Sequence, residues 1–251
     1  MTTEMILIES PAPAVKLIRL NRPKQYNALN TQLLNELKET LEQFEKDDSV
    51  AVVVITGSEK AFAAGADINE LASKSAKEMF DIFEGDTGWH AISKFSKPIL
   101  CAASGMALGG GFELALQCDV LWAAEETRFA LPEVNLGVIP GAGGTQRITK
   151  ILGKSLAMEM ILSARPLFAE EACQRGIVSR VVAADKIEPE IIELAKKIAS
   201  KAPLAVKAGK NAVNRAMLGT LEAGLEFEKD VFCPLFDSSD AKKLMADFMN
   251  K

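Results

Sequence analysis

The run 50-VAVVVITG-57 decides the fold class. Val50 to Thr56 is a nearly continuous β-branched stretch closed by Gly57. It lacks the apolar–polar alternation of a strand wetted on one face. It therefore reads as a strand covered on both faces, as in parallel sheets flanked by helices. Upstream, Val15–Leu20 sets Val15, Leu17 and Ile18 against Lys16 and Arg19, a second strand. Between the two, Leu33, Leu37, Leu41 and Phe44 recur at helical spacing. They predict a helix over Thr31–Lys46 with Asn30 or Thr31 as its cap. Further strands are expected at Pro98–Ser104, Val120–Ala124 and Val178–Val182. Strands alternating with helices make an α/β domain.

Beyond about residue 185 the rhythm changes. Ile187, Ile191, Leu194, Ala195 and Ile198 form one helical stripe, and Pro203 opens another helix at a position that suits proline. Ala241, Leu244, Met245, Phe248 and Met249 repeat the spacing at the end. A terminal apolar stripe has to dock on this subunit or on a neighbour. The expected division is an α/β core over 1–195 and a helical region over 196–251, with no linker between them.

Composition excludes more than it selects. The chain has 251 residues, 48% hydrophobic and 25% charged, with a net charge of −5, ordinary for a globular protein. An acidic balance argues against a nucleic-acid partner, which needs a broad basic surface. Cys101, Cys118, Cys173 and Cys233 form no C-x-x-C pair and read as reduced thiols. The first residues, MTTEMILIES, show no signal peptide, and the uncharged run Pro98–Phe112 is too short to span a bilayer. A cytoplasmic protein with no membrane partner is expected. With a single histidine, His90, and no G-x-S-x-G, a histidine-based metal site and a serine triad have little to build on. Carboxylates and backbone groups are left as candidates for chemistry.

Two glycine-bearing loops each open a helix. In FAAGADINEL (Phe62–Leu71), Asp67 and Glu70 have capping-box spacing behind Gly65. In ASGMALGGGFELALQCD (Ala103–Asp119), Gly109, Gly110 and Gly111 precede an apolar helix. Glycines in regular structure cost roughly 0.5–1 kcal/mol each relative to alanine, so positive φ or a close approach must require them. Tight core packing and close approach of a ligand both satisfy that need. Each loop presents free N–H groups at a helix start, and two such donors converging on one point would make an oxyanion hole. A third run, Pro140-Gly141-Ala142-Gly143-Gly144-Thr145, fits neither a dinucleotide fingerprint nor a P-loop and reads as a tight loop before a helix.

Two glutamates stand in uncharged surroundings. Glu113 is the one charge between Pro98 and Gln117, and Glu133 the one charge between Phe129 and Gln146. Read alone, the first is a first-turn glutamate facing a helix dipole and the second a loop carboxylate. In one apolar pocket, the pair could divide acid and base roles.

Ala64-Gly65-Ala66-Asp67, Ala107-Leu108-Gly109-Gly110-Gly111-Phe112-Glu113-Leu114-Ala115 and Leu131-Pro132-Glu133 through Arg147 together resemble the enoyl-CoA hydratase (crotonase) family. Leu20-Asn21-Arg22-Pro23-Lys24 with Asn27-Ala28-Leu29 adds to the resemblance, which covers essentially the whole chain. It implies a spiral of ββα units followed by a C-terminal helical trimerisation region, assembled as a homotrimer or as a dimer of trimers (a homohexamer). It implies an acyl-CoA thioester substrate and no metal or redox cofactor, coenzyme A being part of the substrate. The N–H groups of Ala66 and Gly110 would form the oxyanion hole. Glu133 would protonate the α-carbon while Glu113 positions and activates water. Lys24, Ala64, Ala66, Asp67, Ile68 and Gly110 would line the coenzyme and substrate path, with Phe248 and Lys251 at positions that contact coenzyme A in related enzymes. Asn69 stands where many relatives carry lysine, and Ala63 where cysteine or serine is frequent.

Retention of both glutamates favours a hydratase of fatty-acid (β-oxidation) or aromatic-compound degradation, adding water reversibly to a trans-2-enoyl-CoA. Isomerisation, carbon–carbon cleavage and an RNA-binding relative are the alternatives. Met79, Phe80, Phe83 and Trp89 either limit the acyl pocket or belong to the core.

Overall fold

A computed structural model describes residues 4–250. The chain begins with β1 (Ile6–Ala12), β2 (Val15–Leu20), α1 (Thr31–Lys46), β3 (Val52–Thr56), β4 (Ala61–Ala63) and α2 (Ile68–Leu71). It continues through α3 (Ala76–Glu84), α4 (Gly88–Lys94), β5 (Ile99–Ala103), β6 (Met106–Leu108), α5 (Gly110–Gln117), β7 (Val120–Ala124) and β8 (Arg128–Ala130). Then come α6 (Gly144–Leu152), α7 (Lys154–Ser163), β9 (Leu167–Phe168), α8 (Ala169–Gln174), β10 (Arg180–Val182) and α9 (Ile187–Ala199). The last helices are α10 (Pro203–Ala216), α11 (Leu221–Phe232) and α12 (Ser239–Met249).

Two sheets divide the strands. The six-stranded sheet runs β1-β2-β3-β5-β7-β10, antiparallel at β1–β2 and parallel from β2 onward. The four-stranded sheet runs β4-β6-β8-β9, parallel except at β8–β9. The repeat is a ββα unit: β3 and β4, β5 and β6, then β7 and β8 each give their first strand to the large sheet and their second to the small one. Stacking these units makes the expected spiral.

The run that decides the class behaves as its composition requires. Every residue of β3 is buried. Val53 and Ile55 enter a core shared with α1, α4 and α5, whereas Val52 and Val54 enter a second core under Ile187, Ile191 and Ala195 of α9. Alternate side chains of one strand thus serve two cores, and no face is left for water. Asn30 caps α1 by accepting from the Leu33 N–H, and Pro203 occupies the first turn of α10.

Helices α10, α11 and α12 contain no buried residue. α10 is tied to the large sheet by Lys210, whose Nζ donates to the Lys97 carbonyl at 2.8 Å and pairs with Asp119 at 2.9 Å. Large side chains such as Leu218, Leu221 and Phe248 remain exposed. Among the described residues, no helix is long and apolar enough to cross a membrane.

Candidate active site

Three adjacent strands of the small sheet end at the same place. Residues Ala63, Leu108 and Ala130 close the parallel neighbours β4, β6 and β8. A few residues beyond those ends lie Ala66, Gly110 and Glu133. Clefts past the carboxyl ends of parallel strands are where α/β proteins bind ligands.

Each glycine between β6 and α5 has its own reason. Gly109 adopts φ +49°, and a Cβ there would come within 3.0 Å of Glu133 Oε1. Gly111 presses on β4, where a Cβ would meet the Ala63 carbonyl carbon at 2.7 Å. Gly110 faces the cleft: a Cβ would lie 3.5 Å from the Ala66 nitrogen and 3.8 Å from Trp89 Cζ2.

The segment around Ala66 is stitched to the preceding turn. Ala64 N–H donates to the Tyr26 carbonyl, Leu29 N–H to the Gly65 carbonyl, and Asp67 N–H to the Leu29 carbonyl, at 2.7–2.9 Å. In a parallel bridge of Ala66 to Leu29, the Ala66 N–H itself points away from that turn. Neither it nor the Gly110 N–H has an acceptor among the described residues. Two main-chain donors therefore stand close together at the mouth of the small sheet, the arrangement an oxyanion requires.

The two carboxylates differ in how they are held. Glu113, 3% exposed, lies in the first turn of α5, and its Oε1 accepts from Ala142 N–H at 2.8 Å and Gly144 N–H at 2.7 Å. Those donors come from the Pro140–Gly144 loop, which Arg147 braces by donating to the Ala142 carbonyl at 2.9 Å. Burial raises the Glu113 carboxyl above its ordinary range, and the two N–H donors and Arg147 oppose the rise. Glu133 opens a 3-10 turn (Glu133–Leu136) just past β8. Its Oε2 is buried with no hydrogen-bond partner among the described residues. Burial pushes this carboxyl up to about 7, and the Glu113 charge adds to the rise. Of two nearby carboxyls, the one with the poorer donor set is the better placed to hold a proton, here Glu133.

Ala66, Gly110, Glu113 and Glu133 thus lie a few residues past three adjacent strand ends, with Ala64, Asp67 and Ile68 on the segment after β4. Lys24 is exposed on the turn whose next residues hold the Ala64–Asp67 segment. Asp67 caps α2 by accepting from Asn69 N–H at 3.1 Å. Its expected capping-box partner acts elsewhere: Glu70 accepts from the backbone and hydroxyl of Thr31 at 2.9 Å, tying α2 to α1. Phe248 is on α12, which packs chiefly on the 3-10 turn before it, Cys233–Asp237, and is not brought to these strand ends by that packing. Lys251 lies outside the described residues. Of the four candidate acyl-pocket residues, Trp89 faces Gly110, Phe83 Cζ sits 3.0 Å from the Cβ position of Gly141, and Phe80 is exposed.

Sequence reasoning did not find the donors Ala142 and Gly144. The loop that carries them reads only as a tight turn, and its one available signal was a glycine run with no charge to serve.

Residues 11–251 match a family model described as enoyl-CoA hydratase/isomerase. The chain is 46% identical to a probable enoyl-CoA hydratase of Rhizobium meliloti (strain 1021), covering 100% of this chain and 97% of the relative. It is 43% identical to the 2,3-dehydroadipyl-CoA hydratase of Escherichia coli (strain K12), covering 98% and 96%. Its fold is similar to a crystal structure of enoyl-CoA hydratase subunit I from Geobacillus kaustophilus HTA426, with TM-score 0.93, 42% identity, and 98% and 95% of the two chains covered.

Proposed function

The chain belongs to the enoyl-CoA hydratase/isomerase family, and from that membership we infer that it adds water reversibly to a trans-2-enoyl-CoA, giving a 3-hydroxyacyl-CoA. The observation that carries the reading is the unequal pair: Glu113 with two backbone donors on one oxygen, Glu133 buried with an unpartnered oxygen and its carboxyl pushed up to about 7. Hydration needs one group to receive a proton from water and another to give one to carbon.

The thioester carbonyl accepts from the Ala66 and Gly110 N–H groups, which draws electrons from the β-carbon. Water held between the two carboxylates forms the new C–O bond at that carbon and passes a proton to Glu113. The displaced electron pair takes the Glu133 proton at the α-carbon. The pair holds one proton before and after, and the reverse path uses the same groups. Removing an acid of this kind costs about 10²–10⁴-fold in rate. Glu133→Gln is therefore expected to lose kcat by at least about 100-fold on a short trans-2-enoyl-CoA. Hydration at the wild-type rate by that variant would remove Glu133 from the acid role.

Lys24, Ala64, Asp67 and Ile68 form the rim along which coenzyme A lies in this reading, and Phe248 and Lys251 are the further candidates for contact with it. Coenzyme A enters as part of the substrate, and the reaction calls for no metal or redox group. We place the protein in the cytoplasm, acting in fatty-acid or aromatic-compound degradation. Rates across acyl-chain lengths and on a dicarboxyl enoyl-CoA would separate those pathways. The uncovered faces of α10–α12 support a homotrimer or a dimer of trimers.

A further inference from the structure

We propose that Arg22 is a positioning residue for the oxyanion hole, a guanidinium cross-tie that fixes the direction of the Ala66 N–H. The inference rests on the hydratase reading and deepens it.

The argument starts from what holds Ala66. Its N–H direction is set by the residues on either side, which use their own backbone groups on the Tyr26–Leu29 turn. Arg22 fastens both strips at once. Its Nη1 donates to the Ala28 carbonyl, and its Nη2 donates to Asp67 Oδ2 at 2.8 Å. Ala28 and Asp67 flank the two partners of the Leu29–Ala66 bridge. The guanidinium therefore spans the bridge from one side, and both charged side chains are largely shielded, 12% and 11% exposed.

The base of the tie is itself fixed. Arg22 N–H donates to Asn27 Oδ1 at 2.9 Å. Asn27 is fully buried, and its Nδ2 donates to the Ala61 and Phe62 carbonyls of β4 at 2.9 and 3.1 Å. Asp67 in turn holds Asn69 at the start of α2. The ion pair keeps the Asp67 carboxyl below its usual range. The result is a closed loop of contacts running from β4 through the turn to Asp67 and back, with the Ala66 donor on it and no side chain of Ala66 involved.

This arrangement serves chemistry more than stability. A hydrogen bond to a developing oxyanion weakens steeply with misalignment, and small displacements at a reacting centre cost up to about 100-fold. Arginine is needed because only a fork reaches a carbonyl and a carboxylate in fixed directions, whereas lysine offers a single point charge.

The test uses the full-length protein, Arg22→Lys and Arg22→Met, each checked by circular dichroism and sedimentation. Three quantities are read: kcat and KM on a short trans-2-enoyl-CoA, affinity for free coenzyme A, and the carbonyl stretch of bound 13C-carbonyl butanoyl-CoA by infrared difference spectroscopy. Loss of one donor is expected to lower kcat by about 100-fold in Arg22→Met, with a smaller loss in Arg22→Lys. Affinity for free coenzyme A, which has no thioester carbonyl, reads any change at the Asp67 rim separately and should fall much less than kcat. The bound carbonyl stretch should move back toward its value in water. A folded Arg22→Lys that keeps both the wild-type kcat and the wild-type carbonyl stretch overturns the proposal, and that variant decides the matter if Arg22→Met does not fold. An inactive wild-type protein would instead refute the hydratase reading on which the proposal stands.

Discussion

At the scale of single residues, the site is governed by how many donors each carboxylate receives. Glu113 has two backbone N–H groups on one oxygen, and Glu133 has an oxygen with none among the described residues. The pair is competent when it carries one proton. Above about pH 7, Glu133 loses that proton, so kcat/KM should fall about tenfold per pH unit beyond that point. Because the overall reaction consumes no net proton, the same profile must hold for hydration and dehydration. A steady-state pH series in both directions checks this. The same shift has a stability consequence of definite sign. A carboxyl raised on folding binds its proton more tightly in the native state, so its contribution is full below the ordinary carboxylate pKa and is lost as pH rises toward about 7. Glu133→Gln should therefore melt close to wild type at pH 4 and above it at pH 8 in a thermal scan.

At the scale of elements, the junction of β4, β6 and α5 leaves no room for a side chain at Gly111. Gly110→Ala places a Cβ at ordinary contact distance in the cleft, whereas Gly111→Ala places one inside the Ala63 backbone. Overpacking against a strand costs about 1–3 kcal/mol, roughly 2–10 °C in Tm at this chain length, and outweighs the helix propensity gained. Calorimetry should show a lowered Tm for Gly111→Ala and an unchanged one for Gly110→Ala, with activity reduced in both. What the sequence reveals follows element length. Val15–Leu20, Thr31–Lys46 and Val120–Ala124 are read to the residue, because periodicity has room to show. The Val50–Thr56 and Val178–Val182 strands begin later than expected, at Val52 and Arg180, since Val50 and Val178 donate back to Asp47 and Ala172 of the preceding turns and not to a neighbouring strand. The small sheet is invisible as pattern: β4, β6 and β8 have three residues each and β9 two, too short for alternation to register. Glu113 and Glu133 were legible through the absence of other charges. Arg22 carries no such signal, because its partners Ala28 and Asp67 are joined to it only in space.

At the scale of the molecule, the chain is built from two unequal commitments. The large sheet and its two cores hold the ββα stack together, while α11, α12 and the turn after α10 leave Leu218, Leu221, Leu225 and Phe248 exposed among the described residues. Such a surface calls for copies of the same chain, and sedimentation equilibrium at micromolar concentration is expected to give three or six times the chain mass. A stable monomer would contradict it. The parallel pairing of β4 with β6 has a hereditary meaning as well. Both proposed oxyanion donors are peptide amides delivered just beyond neighbouring strands, so no codon at position 66 or 110 can erase either donor except one for proline. Glutamate at 113 or 133, by contrast, is lost by a single coding change. A lineage descending from this chain would more readily change what it does with protons than give up its hold on a thioester.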